Sequence, residues 1–391
     1  MSLGRSADQQ RPKAAPESLL RPVMPELDTL RGIAILGVLF LHGFFWQYSG
    51  LHFGHWATTF LNLTQPGWTG VNLFFVLSGF LITGILIESA SRADYYKRFY
   101  VRRALRILPA YYALLIVLWL LGQASKAYVG LGFLYLANVT EFFGVGQAYG
   151  PLWSLAVEEH YYLLWPAIVH RLSLRAIAGV AAAIVATVAA LRAAAFLLDR
   201  TLGLASYTWL VADGLACGAL LAVVLRIGLS RKQIWQLALG LTGIALLAGV
   251  VGAPFGILTR TRLLGATLQY TVISIFFSGM LLFFLLAGTG TAARFVRNRT
   301  LMFFGYISYG LYLVHPLAFR LYDKFCTRFE IALLPQNHRF DLVLLRFAVA
   351  GGGAVLLSYL SRLYFENRFL RLKDRMAAAE GKNERLAVLE G

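Results

Sequence analysis

The chain has 391 residues, 58% hydrophobic and 14% charged, with a mean hydropathy of +0.64, a balance that excludes an ordinary soluble domain. A net charge of +17 would draw a soluble protein to nucleic acid. Here the cations gather on alternate loops between apolar runs, so topology accounts for them and no nucleic-acid partner is expected. The two cysteines, Cys217 and Cys326, lie far apart in or beside apolar runs, which predicts neither a disulfide nor a metal site.

Residues 1–26 are polar and carry Arg5, Arg11, Lys13 and Arg21. With no apolar core before a cleavage site, they read as a cytoplasmic tail and not as a removed signal peptide. Apolar runs then predict an all-α membrane helix bundle of about ten spans: 30–48, 67–88, 104–121, 153–170, 176–198, 204–226, 233–253, 263–288, 301–320 and 341–364. The run 129–140 is too short to cross and sits among glycines, so it reads as re-entrant or interfacial. In this scheme only Lys126, Arg200, Arg260, Arg262, Lys324, Arg328 and Arg339 face outward, and both termini lie inside. Making 129–140 a full span would invert every later loop and destroy that asymmetry. Residues 370–391 read as a short charged cytoplasmic tail, with helical stretches at Met376–Glu380 and Asn383–Glu390.

Chemistry-bearing residues fall in three segments. In the first span, Arg31 and His42 are eleven residues apart, about three helical turns, so they share nearly one face and His42 lies about 16 Å deeper. An ionisable group at that depth is a candidate site residue, although a histidine bonding a neighbouring helix accounts for it equally well. Neutral imidazole accepts a hydroxyl proton at physiological pH, which suits general-base work. Asp28 falls near the same face at the lip.

The second segment places Arg102, Arg103 and Arg106 within about one turn at the inner start of the third span. They suit the phosphates of a cytoplasmic cofactor, but positive-inside anchoring or lipid head-group contact explains their charge as well. In the third, Glu158 and Glu159 enter the fourth span, where a carboxylate would orient His42 or bind an acceptor hydroxyl. Neighbours on a helix point about 100° apart, so only one is expected to face a given cavity. A dipole-favoured acid at a helix start is the plainer account. Asp213 is expected to pair with Arg192 structurally, His315 is a lesser candidate, and Ser78–Gly79 offer a small-residue packing face.

Six blocks together resemble the membrane acyltransferase-3 family, whose members O-acylate polysaccharides, peptidoglycan, lipids and macrolides. They are Arg31 with His42, Phe74–Phe80, Arg103 with Arg106 through Tyr112, Trp153 with Glu158 and Glu159, Ser308–His315, and Tyr364–Glu366. They appear in family order from residue 27 to about 370. Departures are His160 where glutamine is usual, Val211 where arginine is expected, and Asn367 after Glu366. The resemblance implies a transmembrane acyltransferase domain over 27–369 of a bacterial inner-membrane protein among membrane lipid. It implies an acyl-CoA donor, with acetyl the commonest acyl group, and a carbohydrate or glycolipid acceptor. Arg31, Arg102, Arg103 and Arg106 would hold the donor. His42 would act as general base or transient acyl carrier, with Glu158 or Glu159 orienting the acceptor. A transporter or flippase is the competing class, but it has no need of an arginine cluster opening toward His42.

Overall fold

A computed structural model describes residues 19–21, 23–48, 50–198 and 206–372, and among these every regular element is helical. The N-terminal stretch 1–18 and the expected helices of the C-terminal tail lie outside the described residues.

Helix α1, Pro25–Tyr48, starts with proline at its first position and Glu26 and Asp28 in its first turn, which suits the ring geometry and the helix dipole. α2, His55–Ser89, is interrupted by a 3₁₀ turn at Gln65–Trp68, where Pro66 removes a donor. α3 is Tyr95–Leu120 and α4 only Lys126–Phe133, capped by the Ser125 hydroxyl. α5, Leu152–Arg171, and α6, Leu174–Leu197, follow. α7 is Asp213–Val224, α8 Arg231–Gly252 behind a Ser230–Gln233 capping box, and α9 Leu263–Gly288. α10, Arg299–Arg328, contains Pro316, and α11, Phe340–Leu372, completes the bundle.

Eight of these, namely α1, α2, α3, α6, α8, α9, α10 and α11, are long and apolar enough to cross a membrane, against ten expected. The expected spans 153–170 and 204–226 correspond to α5 and α7. α5 has the length but carries Glu158, Glu159, His160, His170 and Arg171. α7 is 12 residues long, less than the roughly 20 a span needs. The segment at 129–140 is the short α4, then a turn and the start of a 3₁₀ turn at Thr140–Phe143, and does not cross.

The bundle closes through glycines. A Cβ on Gly32 would stand 2.0 Å from the Leu301 carbonyl oxygen, and one on Gly305 would stand 1.9 Å from that of Asp28. The α1 and α10 backbones therefore touch, the closest packing small residues allow between membrane helices. A second such joint sets Gly79 of α2 on Leu215 of α7 and Gly218 on Val76. Gly32→Val is expected to push α1 from α10 and cost about 1–3 kcal/mol. A lowered thermal midpoint in detergent, against an unchanged Ile33→Val control, measures it; equal midpoints would refute the joint.

Two ion pairs join α6 to α7 and α11 to α10. Arg192 Nη2 meets Asp213 Oδ2 at 2.8 Å, both side chains fully buried, and Thr271 donates to the same carboxylate at 2.6 Å. This is the structural pairing expected for Asp213. Arg346 of α11 makes two bonds to Asp323 of α10, at 2.6 and 2.7 Å, and donates to Gln47 of α1 at 2.8 Å.

Candidate active site

His42 lies where α1 leaves the α-helical period. Leu41–Phe45 form a π-helical turn, with the Trp46 amide bonded back to Leu41, a local widening often found where a helix serves a function. Gly43 lies in this turn against α11, where a Cβ would collide with the Phe347 ring at 2.4 Å. His42 Nδ1 lies 2.9 Å from the Val38 carbonyl oxygen. A carbonyl only accepts, so Nδ1 carries the proton and the lone pair of the neutral ring is on Nε2. Nε2 has no hydrogen-bond partner among the described residues.

His315 of α10 stands beside it. Its Nδ1 donates to Leu311 O at 2.8 Å, which leaves Nε2 as an acceptor 3.4 Å from His42 Nδ1. The rings meet edge to face at 5.0 Å, and the mostly exposed Trp46 ring stacks on His42 at 5.8 Å. One imidazole thus shares its N–H with a carbonyl and a second imidazole and keeps its basic nitrogen free.

Just past His315, Pro316 leaves the α10 ladder without a donor. The Tyr149 hydroxyl fills in: it accepts from the Leu317 amide at 3.1 Å and donates to Leu313 O at 2.6 Å. Tyr149 is itself held through its backbone by the Tyr128 hydroxyl of α4, so the short helix buttresses the histidine pair. Tyr149→Phe leaves both groups unpaired in the interior and is expected to cost about 1–3 kcal/mol, seen as a lower unfolding midpoint. An unchanged midpoint would show that the break needs no support.

The site descends along α10 from His315 through Tyr312, Tyr309 and Tyr306, the i±3 row that winds obliquely round the helix. Tyr312 meets Ser154 of α5 at 2.5 Å, and Tyr309 donates to Ile107 O of α3 at 2.8 Å. Beside them stands Arg103, its guanidinium 3.7 Å over the Tyr162 ring. Its Nη2 is 3.8 Å from Glu158 and its Nε 3.9 Å from Glu159. Glu158 also accepts from Ser78 at 2.7 Å. Both adjacent glutamates therefore approach one guanidinium, where a single carboxylate facing the cavity was expected. A planar cation lying on Tyr162 between them presents a different edge to each.

Arg31 meets Asp28 at 2.5 Å near the start of α1. Arg106 is exposed and lies within electrostatic reach of Arg31, Arg103 and Arg362. It has no hydrogen bond or ion pair among the described residues. Arg102 is half-buried at the position next to Arg103. Arg362 of α11 bonds Glu366 at 3.2 Å and covers the Tyr306 ring at 4.6 Å. Arg362 escaped the sequence reading, although Glu366 belongs to the last of the six blocks. A separate crevice of about 610 Å³ between α8 and α9, lined by Ala245, Gly249, Ile273 and Phe277, carries no ionisable group.

This arrangement supplies a base with a fixed tautomer, two carboxylates and a group of cations in one bundle. A family described as an acyltransferase domain matches residues 24–363. The peptidoglycan O-acetyltransferase OatA of Listeria monocytogenes is 34% identical over 166 residues, covering 38% of this chain and 24% of that protein. The putative peptidoglycan O-acetyltransferase YrhL of Bacillus subtilis is 34% identical over 163 residues, covering 37% and 23%. The aligned stretch thus spans about a quarter of the length of each. No solved structure matches the chain. The chain belongs to the acyltransferase-3 family, multi-pass membrane enzymes that transfer acyl groups.

Proposed function

We propose that this acyltransferase moves an acyl group, acetyl in its named relatives, from acyl-CoA to a hydroxyl of a carbohydrate or glycolipid. It would work in a bacterial inner membrane with both termini in the cytoplasm, the orientation that its cationic loops favour. The observation that carries this reading is the histidine pair, with His42 Nδ1–H held by Val38 O and His315 and the Nε2 lone pair free. As the acceptor oxygen attacks the thioester carbonyl, Nε2 takes its proton, the C–S bond breaks, and the thiolate leaves to be protonated by the imidazolium. Alternatively Nε2 attacks the thioester carbon, the C–S bond breaks to release the thiolate, and the acceptor hydroxyl then attacks the acyl-imidazolium, its proton passing to the thiolate as Nε2 is freed. In both routes positive charge develops on His42, and the Val38 carbonyl and the His315 lone pair stabilise it through Nδ1–H. Glu158 or Glu159 would orient the acceptor, and Arg31, Arg102, Arg103 and Arg106 the donor. Arg106 is the cation best placed for phosphate, because Glu158 and Glu366 feel its charge but, among the described residues, no carboxylate bonds it, and Arg362 adds charge beside it.

The test is thiol release from acetyl-CoA by the protein in nanodiscs, with and without a polysaccharide or glycolipid acceptor. Release that depends on the acceptor supports the reading. Absence of release together with absence of binding for acetyl-CoA and longer acyl-CoAs would overturn it in favour of transport.

A further inference from the structure

The apolar crevice between α8 and α9 has a polar end. A narrower part of about 330 Å³ continues it, sharing Gly249, Leu258 and Ile273 and adding Gln65 and Trp68 of the 3₁₀ turn in α2. Over the Trp68 ring stands Arg260, its guanidinium 5.1 Å from that ring's centroid and 5.2 Å from that of Tyr270. Ring faces hold the cation without using up its N–H groups. Arg260 makes no hydrogen bond or ion pair among the described residues. Nor is a counter-charge near in sequence. No aspartate or glutamate occurs between Asp213 and Asp323 or between Asp28 and Glu88, the stretches that supply every wall of the crevice.

Helix lengths give its depth. α9 has 26 residues, about 39 Å, against about 30 Å of hydrocarbon in a bilayer. Its first turns therefore project past the core, and Tyr270 lies near the outer edge of the hydrocarbon in the orientation that the cationic loops favour. From there the crevice runs inward past Ile273 to Phe277, about 10 Å further. Leu246, Val250 and Leu258 along it are more than half exposed, so it opens sideways to the acyl chains.

We propose that this crevice is a binding site for an anionic phospholipid of the outer leaflet, with one acyl chain in the crevice and the phosphate on Arg260. Apolar walls suit a hydrocarbon chain, and the free edge of a guanidinium suits phosphate oxygens. The open side leaves the second chain in the bilayer. With no carboxylate at hand, the ammonium of a zwitterionic head group would meet only cations, which favours a head group of net negative charge.

Native mass spectrometry of the detergent-solubilised protein tests this with phosphatidylglycerol and phosphatidylcholine of equal chains. Wild type is expected to hold the anionic lipid about tenfold more tightly, the size of one charge-assisted bond. Arg260→Gln should remove that preference, while Arg262→Gln, which takes the same charge from the same loop, should keep it. Gly249→Leu, placed where a Cβ meets open space, should fill the crevice and weaken both lipids. Equal holding of both lipids by wild type, or equal loss of preference in the two arginine variants, would overturn the site. So would Gly249→Leu binding both lipids as wild type does. A single-chain polyprenyl phosphate held in place of phosphatidylglycerol would overturn it in favour of another lipid. A lipid-free dimer that Gly249→Leu splits would overturn it in favour of a second copy of the chain.

Discussion

A folded, reconstituted His42→Ala protein is expected to release thiol from acetyl-CoA about 10²–10⁴-fold more slowly than wild type, the contribution of a positioned base. The expectation comes from geometry and not from depth in the membrane alone. Val38 O fixes the tautomer, so no other group has to be recruited to present a lone pair. His315 lies behind the His42 ring, and His315→Ala should cost less, because the Val38 carbonyl still holds Nδ1–H. Since neither variant alters the arginines, coenzyme A should bind both as it binds wild type. A His42→Ala enzyme of normal turnover would exclude the base and the acyl-carrier routes together.

Arg106→Gln is expected to raise the KM for acetyl-CoA by about 10–100-fold, the loss of charge-assisted bonds to phosphate, with kcat nearly kept. Arg31, Arg103 and Arg362 each have a carboxylate within 4 Å, and Arg106 has none among the described residues. Neutralising it removes attraction without stranding a partner, so the folded midpoint should hold or rise. The affinity of wild type should also fall with added salt more steeply than that of the variant. A variant whose KM is unchanged would assign Arg106 to the lipid head groups.

Much of this was legible along the chain, for a physical reason. Arg31 and His42 share one helix, so spacing alone relates them, and the arginines of α3 stand within one turn of each other. The limits are equally concrete. Periodicity could not show a π-helical turn at Leu41–Phe45, nor the seating of the Phe347 ring of α11 against Gly43 within it. Nor could it bring Arg362 to Arg106 or His315 to His42, contacts between helices hundreds of residues apart in sequence. The inference that only one of Glu158 and Glu159 faces the site treated α5 alone. An arginine on a neighbouring helix spans the angle between them. The difference between eight and ten spans arises at α5, where Glu158, Glu159, His160 and other polar residues lower the hydropathy, and at α7, which is apolar but only 12 residues long.

The widened turn at Leu41–Phe45 also works as slack in α1. Losing one residue there would restore the ordinary helical period. The extra residue is absorbed within the turn, so Trp46 and Gln47 beyond it would keep their bearing, and with it the bonds of Gln47 to Arg346 and Asp323. A one-residue change in length is therefore absorbed inside the turn that carries His42, and the rest of α1 keeps its packing.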